Sequence, residues 1–352
     1  MNTLLLPGLI DPHVHLRDPE QTEKEDFLTG TSAALSGGFT TVLDMPNNKT
    51  PVMSIHTLDE KIARAKKLTV CDIGFYYGSL GDNLDTFREA SQKTKGLKLF
   101  LNQTTGNFLL DPSFLEKIFL AWPNTSPILF HAENETFDLA LEVLKKIPRP
   151  IHLCHLSTSY ELKKVIDAKE AGLPVSCGVT PHHLFLTKED EATLGPLGLM
   201  KPPLQSREEV EFLWQHLGAI DIIESDHAPH LLTEKHSENP PYGVPGLETT
   251  LPLLLTEVHK GRLTIDEIIR LCHTNPAKIF RIPVDKSTQI EIDPDEEWII
   301  SNEHLLTKCR WSPFHDRSVR GRVKKVILHG NTVYENGKIL VQQGSGTILE
   351  NG

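Results

Sequence analysis

Two histidines, His13 and His15, close a short apolar run that begins at Leu9. On a β-strand, side chains two positions apart point to the same side. Two imidazoles therefore aim at one spot, a geometry that grips a metal ion. The plainer reading is one buried, hydrogen-bonded histidine and one surface histidine, and an isolated His-x-His fits that equally well.

Other apolar runs also end in reactive side chains. Gly96–Leu101 carries Lys98, Pro127–His131 ends in His131 with Glu133 just beyond, and Ile151–His155 ends in Cys154-His155. A last run leads into Glu224-Ser225-Asp226-His227 and on to His230. Each residue alone has an ordinary explanation. His131 or His155 could be a satisfied core histidine, Asp226 a helix N-cap, and Lys98 a side chain snorkelling along apolar surface to water. Separate explanations do not account for all of them falling at the ends of apolar runs. Together they form a metal-ligand set of nitrogen and oxygen donors. Lys98 is the unusual member, because an ammonium is a poor neighbour for a divalent metal. Burial lowers a lysine's pKa and exposes a nucleophilic amine. That amine can capture carbon dioxide as a carbamate, whose two oxygens can bridge two metals. A Schiff-base lysine is the competing chemistry, but it needs no metal ligands.

These residues need a scaffold that brings strand ends together. The runs Leu9–His15, Phe39–Met45, Cys71–Tyr77, Leu97–Leu101, Pro127–His131, Ile151–His155, Pro174–Val179 and Asp221–Asp226 read as strands. Helical patterns alternate with them near 57–67, 84–93, 112–121, 135–146, 159–171 and 207–216, and a helix-rich stretch follows at 247–280. A further helix is expected to open at Thr22, with Glu25 as its capping-box partner and Phe27, Ala34 and Leu35 on its apolar face. Alternating β and α units imply a parallel sheet, and eight of them imply a (β/α)8 TIM-type barrel. Barrel chemistry sits at the C-terminal ends of the strands, where these residues fall. After Phe280 the texture changes to short strands near 289–293, 298–300, 323–329 and 332–334. The expected organisation is a barrel over residues 7–280 and a small β-rich C-terminal appendage over 281–352, joined by residues 1–6.

The net charge of −11 disfavours nucleic acid and anionic membrane surfaces as partners. No run reaches the roughly 18 apolar residues a membrane span needs. The first ten residues lack a basic region, so no signal peptide is read. The five cysteines form no CxxC pair and are expected to be reduced thiols in a cytoplasmic protein.

Pro7-Gly-Leu-Ile-Asp-Pro-His13-Val-His15-Leu-Arg17, Met45-Pro-Asn47, Gly96-Leu-Lys98-Leu, His131-Ala-Glu, Cys154-His155, Pro181-His-His-Leu-Phe-Leu186, Ser225-Asp226-His-Ala-Pro-His230 and Gly243-Val-Pro-Gly-Leu-Glu-Thr249 occur in this order. This pattern resembles the amidohydrolase superfamily and, within it, the dihydroorotases. It is most similar to the dihydroorotase domain of animal multifunctional pyrimidine-synthesis proteins, over roughly residues 4 to 346. The resemblance implies a hydrolase that reversibly cyclises N-carbamoyl-L-aspartate to L-dihydroorotate in pyrimidine biosynthesis.

It also implies two zinc ions bridged by an N6-carboxylated Lys98 and a hydroxide. His13, His15 and Asp226 would hold one zinc, and His131 and His155 the other. Asp226 would act as general base and then acid. Arg17, Asn47 and His230 match carboxylate-binding positions, Lys201 stands where the relatives have an arginine, and backbone near Pro245 and Gly246 would contact the pyrimidine ring. Residues 102–107 match a mobile loop in which Thr104 or Thr105 contacts the substrate. Gly178 replaces a glutamate that joins the counterparts of His13 and Cys154 at an extra zinc. Its loss implies no third metal and a packed thiol at Cys154. The family is commonly homodimeric, and association with aspartate transcarbamoylase is expected of a pyrimidine-pathway partner. Two alternatives remain. One is another cyclic amidohydrolase of hydantoinase or allantoinase type, and the other a non-catalytic structural partner of aspartate transcarbamoylase.

Overall fold

A computed structural model describes residues 3–104 and 108–351. Thr105, expected to contact substrate, lies outside the described residues. Strand β1 (Leu4–Pro7) belongs to a separate sheet, taken up below. The central sheet runs through β2 (Leu9–Val14), β3 (Phe39–Asp44), β4 (Asp72–Gly78), β5 (Gly96–Phe100), β6 (Ile128–His131), β7 (Ile151–Leu153), β8 (Val175–Val179) and β9 (Ile222–Ile223). Each strand pairs in parallel with the next. A parallel bridge between Val14 and His227 closes the ring, with His15 N–H donating to His227 O at 2.8 Å. This is the expected eight-stranded barrel. Every residue of β2 to β7 is buried, which explains why these strands read as continuous apolar runs rather than as alternation.

The strands end sooner than the apolar runs do, and chemistry begins where the ladder stops. His155 lies just past β7, and Asp226 just past β9. His155, Asp226 and Arg17 have φ values of +39°, +44° and +60°. Non-glycine residues in such regions cost about 1–3 kcal/mol each and cluster at functional sites.

The first helix departs from expectation. It spans Phe27–Ser36 and is capped by Asp26, whose carboxylate accepts from Thr29 N–H at 2.8 Å, not by Thr22. Glu25 is unavailable as a capping-box partner because it turns inward. Its carboxylate accepts from the Thr307 hydroxyl and from Lys308 N–H, and lies 3.3 Å from His227 Nε2. Phe27, Ala34 and Leu35 are buried on the apolar face as expected.

The second sheet is antiparallel. It runs β1, β10 (Gln289–Ile299), β11 (Ser318–Leu328), β12 (Asn331–Glu335) and β13 (Lys338–Ile339). The two strands expected near 289–293 and 298–300 are one strand, whose register shifts between Asp293 and Glu297. The chain then returns to the barrel, where β14 (Ile348–Leu349) pairs in parallel with β4. The second sheet's connecting segment also braces the rim: Trp311 Nε1–H donates to His230 O at 2.7 Å.

Candidate metal centre and substrate pocket

The rim gathers His13, His15, His131, His155 and Asp226 around one small cavity, with Arg17, Asn47, Thr104 and Lys201 on its other walls. His13 Nε2 and His15 Nε2 lie 3.2 and 3.0 Å from Asp226 Oδ1. Across the cavity, His131 Nδ1 lies 3.0 Å from His155 Nε2. Tetrahedral bonds of about 2.0–2.1 Å put zinc ligands roughly 3.3–3.4 Å apart, so these spacings suit shared metal ions. His13, His155 and Asp226 each offer a ligand atom within 4.8 Å of the others. A larger cavity of about 490 Å³ lies against the second sheet, near Trp298 and Glu248, but the grouped ligands are at the rim.

The outward nitrogens of the histidines are oriented in ways that fit metal ligation. His15 Nδ1 lies 2.7 Å from Asn47 Oδ1, and His131 Nε2 lies 3.1 Å from Glu133 Oε1. Donation from these nitrogens leaves His15 Nε2 and His131 Nδ1 as lone pairs facing the cavity. It also leaves the Asn47 amide N–H groups free to donate to a ligand.

Burial opposes charge on every group in this cluster. Asp226 and Glu224 nevertheless stay well below the usual carboxylate range, because His13 beside both, together with His152 at Glu224 and with His15 and His155 at Asp226, outweighs burial. Burial also works against charge on His13, but the Asp226 carboxylate overrides it and pushes His13 up to about 10. Burial drives His15 down to about 4 and lowers His131 and His155 as well. Neutral imidazole is the form that binds metal. A proton on His13 thus supplies positive charge that the buried carboxylates demand and that a metal cation would supply in its place.

Lys98 is buried, and its Nζ donates to Cys154 Sγ at 3.1 Å. Cys154 also groups with His13 and Glu224 as a second set of metal-capable atoms within 4.8 Å. Gly178 brings no side chain to this place, but Glu224 brings a carboxylate to it. A Cβ built on Gly178 would lie 2.5 Å from Glu224 Oε1, so a carboxylate from β9's end fills the space.

The substrate-side residues divide. Arg17 Nε donates to Pro229 O at 3.1 Å, and its Nη2 lies 3.1 Å from His230 Nε2. His230 is fully buried behind Arg17, and burial, with Arg17 beside it, lowers its pKa to about 3. Lys201 Nζ sits 5.1 Å over the Tyr242 ring. Pro245 and Gly246 line a neighbouring cavity with His227 and Trp311, while Tyr242 and Gly243 face the metal-side cavity. Sequence reading gave no role to Tyr242, Glu133 or Glu224, although both acids stand at the ends of strand runs.

Known proteins resemble this chain along most of its length. A family model described as Amidohydrolase family matches residues 4–113. The Multifunctional protein CAD of Squalus acanthias is 44% identical over 346 residues, covering 97% of this chain and 15% of that protein. The chain spans only 15% to 16% of the length of the two multifunctional relatives it matches. The Dihydroorotase of Pyrococcus horikoshii is 37% identical over 372 residues, covering 99% of this chain and 85% of that protein. Among solved structures, the L-hydantoinase of Arthrobacter aurescens superposes with a TM-score of 0.93 at 25% identity, covering 99% of this chain and 89% of that one. The inactive dihydroorotase-like domain of a Chaetomium thermophilum CAD-like protein gives 0.86 at 25% identity, covering 99% and 100%. With near-complete coverage at this identity, and with the barrel and rim histidines in place, the chain belongs to the dihydroorotase family of amidohydrolases.

Proposed function

We propose that this protein catalyses the reversible cyclisation of N-carbamoyl-L-aspartate to L-dihydroorotate, within a barrel of residues 7–280 carrying an appendage of 281–352 and 1–6. The observation that carries the reading is the placement of the Arg17 and Lys201 cations in the same cavity as the histidine–aspartate cluster. Dihydroorotate carries a carboxylate beside its ring amide, whereas an unsubstituted hydantoin ring does not, so a cationic wall favours the former.

His13, His15 and Asp226 would hold one zinc, and His131 and His155 the other, with Lys98 carboxylated between them. When bound, zinc ions polarise a carbonyl and ionise water near neutral pH. An unmodified Lys98 ammonium among these imidazoles would oppose a cation, which favours the carbamate. Arg17 binds the substrate carboxylate through its fork of N–H donors, and the Asn47 amide adds neutral hydrogen bonds. In the ring-opening direction, water adds to the amide carbonyl and the ring C–N bond breaks. Asp226, held ionised, takes the proton of the attacking water and delivers it to the departing nitrogen. Thr104 lines the cavity, and its hydroxyl or that of Thr105 would donate to the developing oxyanion. Lys201 adds positive charge near the carboxylate. His230 supports Arg17 from behind, and Pro245 and Gly246 shape the adjoining wall.

The similarity to a region of multifunctional proteins fits a chain that works beside other enzymes of its pathway; aspartate transcarbamoylase is the proposed neighbour, and a cytoplasmic homodimer the proposed form. Among the described residues, no helix is long and apolar enough to cross a membrane. The test is a substrate panel on purified protein with its metal content measured. Turnover of dihydroorotate well above hydantoin and allantoin supports the reading. Preference for either other ring points to the hydantoinase or allantoinase alternative, and no turnover with no bound zinc points to the structural-partner alternative.

A further inference from the structure

Glu224 is fully buried, two residues before Asp226 and outside the ligand set just assigned. Its Oε1 accepts from His155 N–H at 2.6 Å. Its Oε2 lies 3.4 Å from His13 Nδ1 and 3.4 Å from His152 Nε2. These three facing atoms have no other hydrogen-bond partner among the described residues. The His13 imidazole therefore stands between two carboxylates from one strand end, Glu224 at Nδ1 and Asp226 at Nε2.

We infer that Glu224 is a positioning residue for the metal centre, and that Gly178 exists to admit it. This role rests on the metal-binding reading above. The carboxylate holds the proton of His13 on Nδ1, which leaves the Nε2 lone pair facing Asp226 and the metal. Through Oε1 the same carboxylate fixes the backbone of His155, whose φ of +39° takes it out of β7. One buried side chain thus ties a ligand of each proposed zinc to the same strand end. The space is available because position 178 has no side chain: a Cβ there would sit 2.5 and 2.6 Å from the carboxylate's Oε1 and Cδ. Carboxylates behind metal-binding histidines orient the ring and raise its basicity, and their loss typically weakens metal affinity about 10–100-fold.

The experiment uses the zinc-loaded full chain and measures zinc stoichiometry, zinc retention against a chelator, and kcat and KM for dihydroorotate. Glu224→Gln keeps the volume and removes the charge. It is expected to fold as the parent does, weaken zinc retention about 10–100-fold and lower kcat with little change in KM. Gly178→Ala should weaken retention too, by pushing the carboxylate out of place. Glu224→Ala combined with Gly178→Glu should recover retention relative to Glu224→Ala alone, because the new carboxylate starts from the neighbouring strand into the same space. Parental zinc retention and kcat in Glu224→Gln overturn the inference. So does a third zinc in the parent protein that Glu224→Gln loses, since Glu224 would then be a ligand in its own right with His13 and Cys154. A parent protein that binds no zinc at all overturns the metal reading itself.

Discussion

His131 Nδ1 and His155 Nε2 lie 3.0 Å apart, carried to one point by two neighbouring strands although 24 residues separate them in sequence. Burial lowers the pKa of both rings, which favours the neutral imidazoles that a metal ion binds. His131→Ala should therefore remove about half the bound zinc and nearly all turnover, read by metal analysis beside a steady-state assay. Full zinc content in the variant would mean these two rings are a packed pair and not ligands.

Asp226 lines the cavity, where it is proposed both to hold metal and to carry the transferred proton. Asp226→Asn keeps the shape but cannot accept the proton, so kcat should fall by about 10²–10⁴-fold, the usual worth of general acid–base catalysis. The comparison of kcat with KM checks this. A loss confined to KM would make Asp226 a binding residue only.

Arg17 faces the cavity with its Nε held by Pro229 O. Arg17→Lys keeps the charge and loses the planar fork. Dihydroorotate KM should rise about 10–100-fold, the scale of one or two charge-assisted hydrogen bonds, with a smaller change in kcat. Unchanged KM would place the carboxylate elsewhere.

His329 joins the two sheets, with Nε2 at 2.9 Å from Asp72 of β4 and Nδ1 at 2.8 Å from Asp285. Partial burial opposes its charge, but Asp285 and Asp72 outweigh it and raise the His329 pKa. The stabilisation is then fully present below the unfolded value of about 6.5 and lost as pH rises through the raised folded value. The partners do not shift alike. Burial raises Asp72, which gives back part of the gain, while hydrogen bonding from Ser287 and His329 lowers exposed Asp285 to about 2. The side chain of His329 is 45% exposed, so solvent screening limits the effect to a few tenths and at most about 1 kcal/mol. Thermal melts of parent and His329→Gln should differ most in mildly acidic buffer and converge in alkaline buffer. A gap that widens with rising pH would reverse the assigned sign.

The barrel was legible because its strands are buried on both faces and interrupted by helical periods. The rim was legible because histidines and an aspartate broke those apolar runs at their ends. What stayed hidden depended on distant partners. Thr22 and Glu25 satisfy a capping-box spacing, yet Glu25 is drawn inward by His227 and the 307–308 backbone, so Asp26 caps the helix instead. The register shift after Asp293 made one strand look like two. The return of Ile348–Leu349 to β4 carries too few residues to show a period. Glu224 read as one more residue of a strand run. The available clue was Gly178, a glycine inside a buried strand, where a missing side chain often marks the close approach of another group.

Lys98→Ala tests the bridging carbamate. It should abolish turnover and release zinc, and the intact parent should carry the extra mass of one carbon dioxide. An unmodified parent lysine with full activity would remove the carbamate from the account.

The most direct measurement is ring opening of L-dihydroorotate by the purified protein before zinc chelation, after it, and after zinc is restored. The account predicts turnover that disappears with the metal and returns with it, at a kcat/KM well above that for hydantoin. Zinc-loaded protein that leaves dihydroorotate intact, or turnover indifferent to chelation, would contradict it.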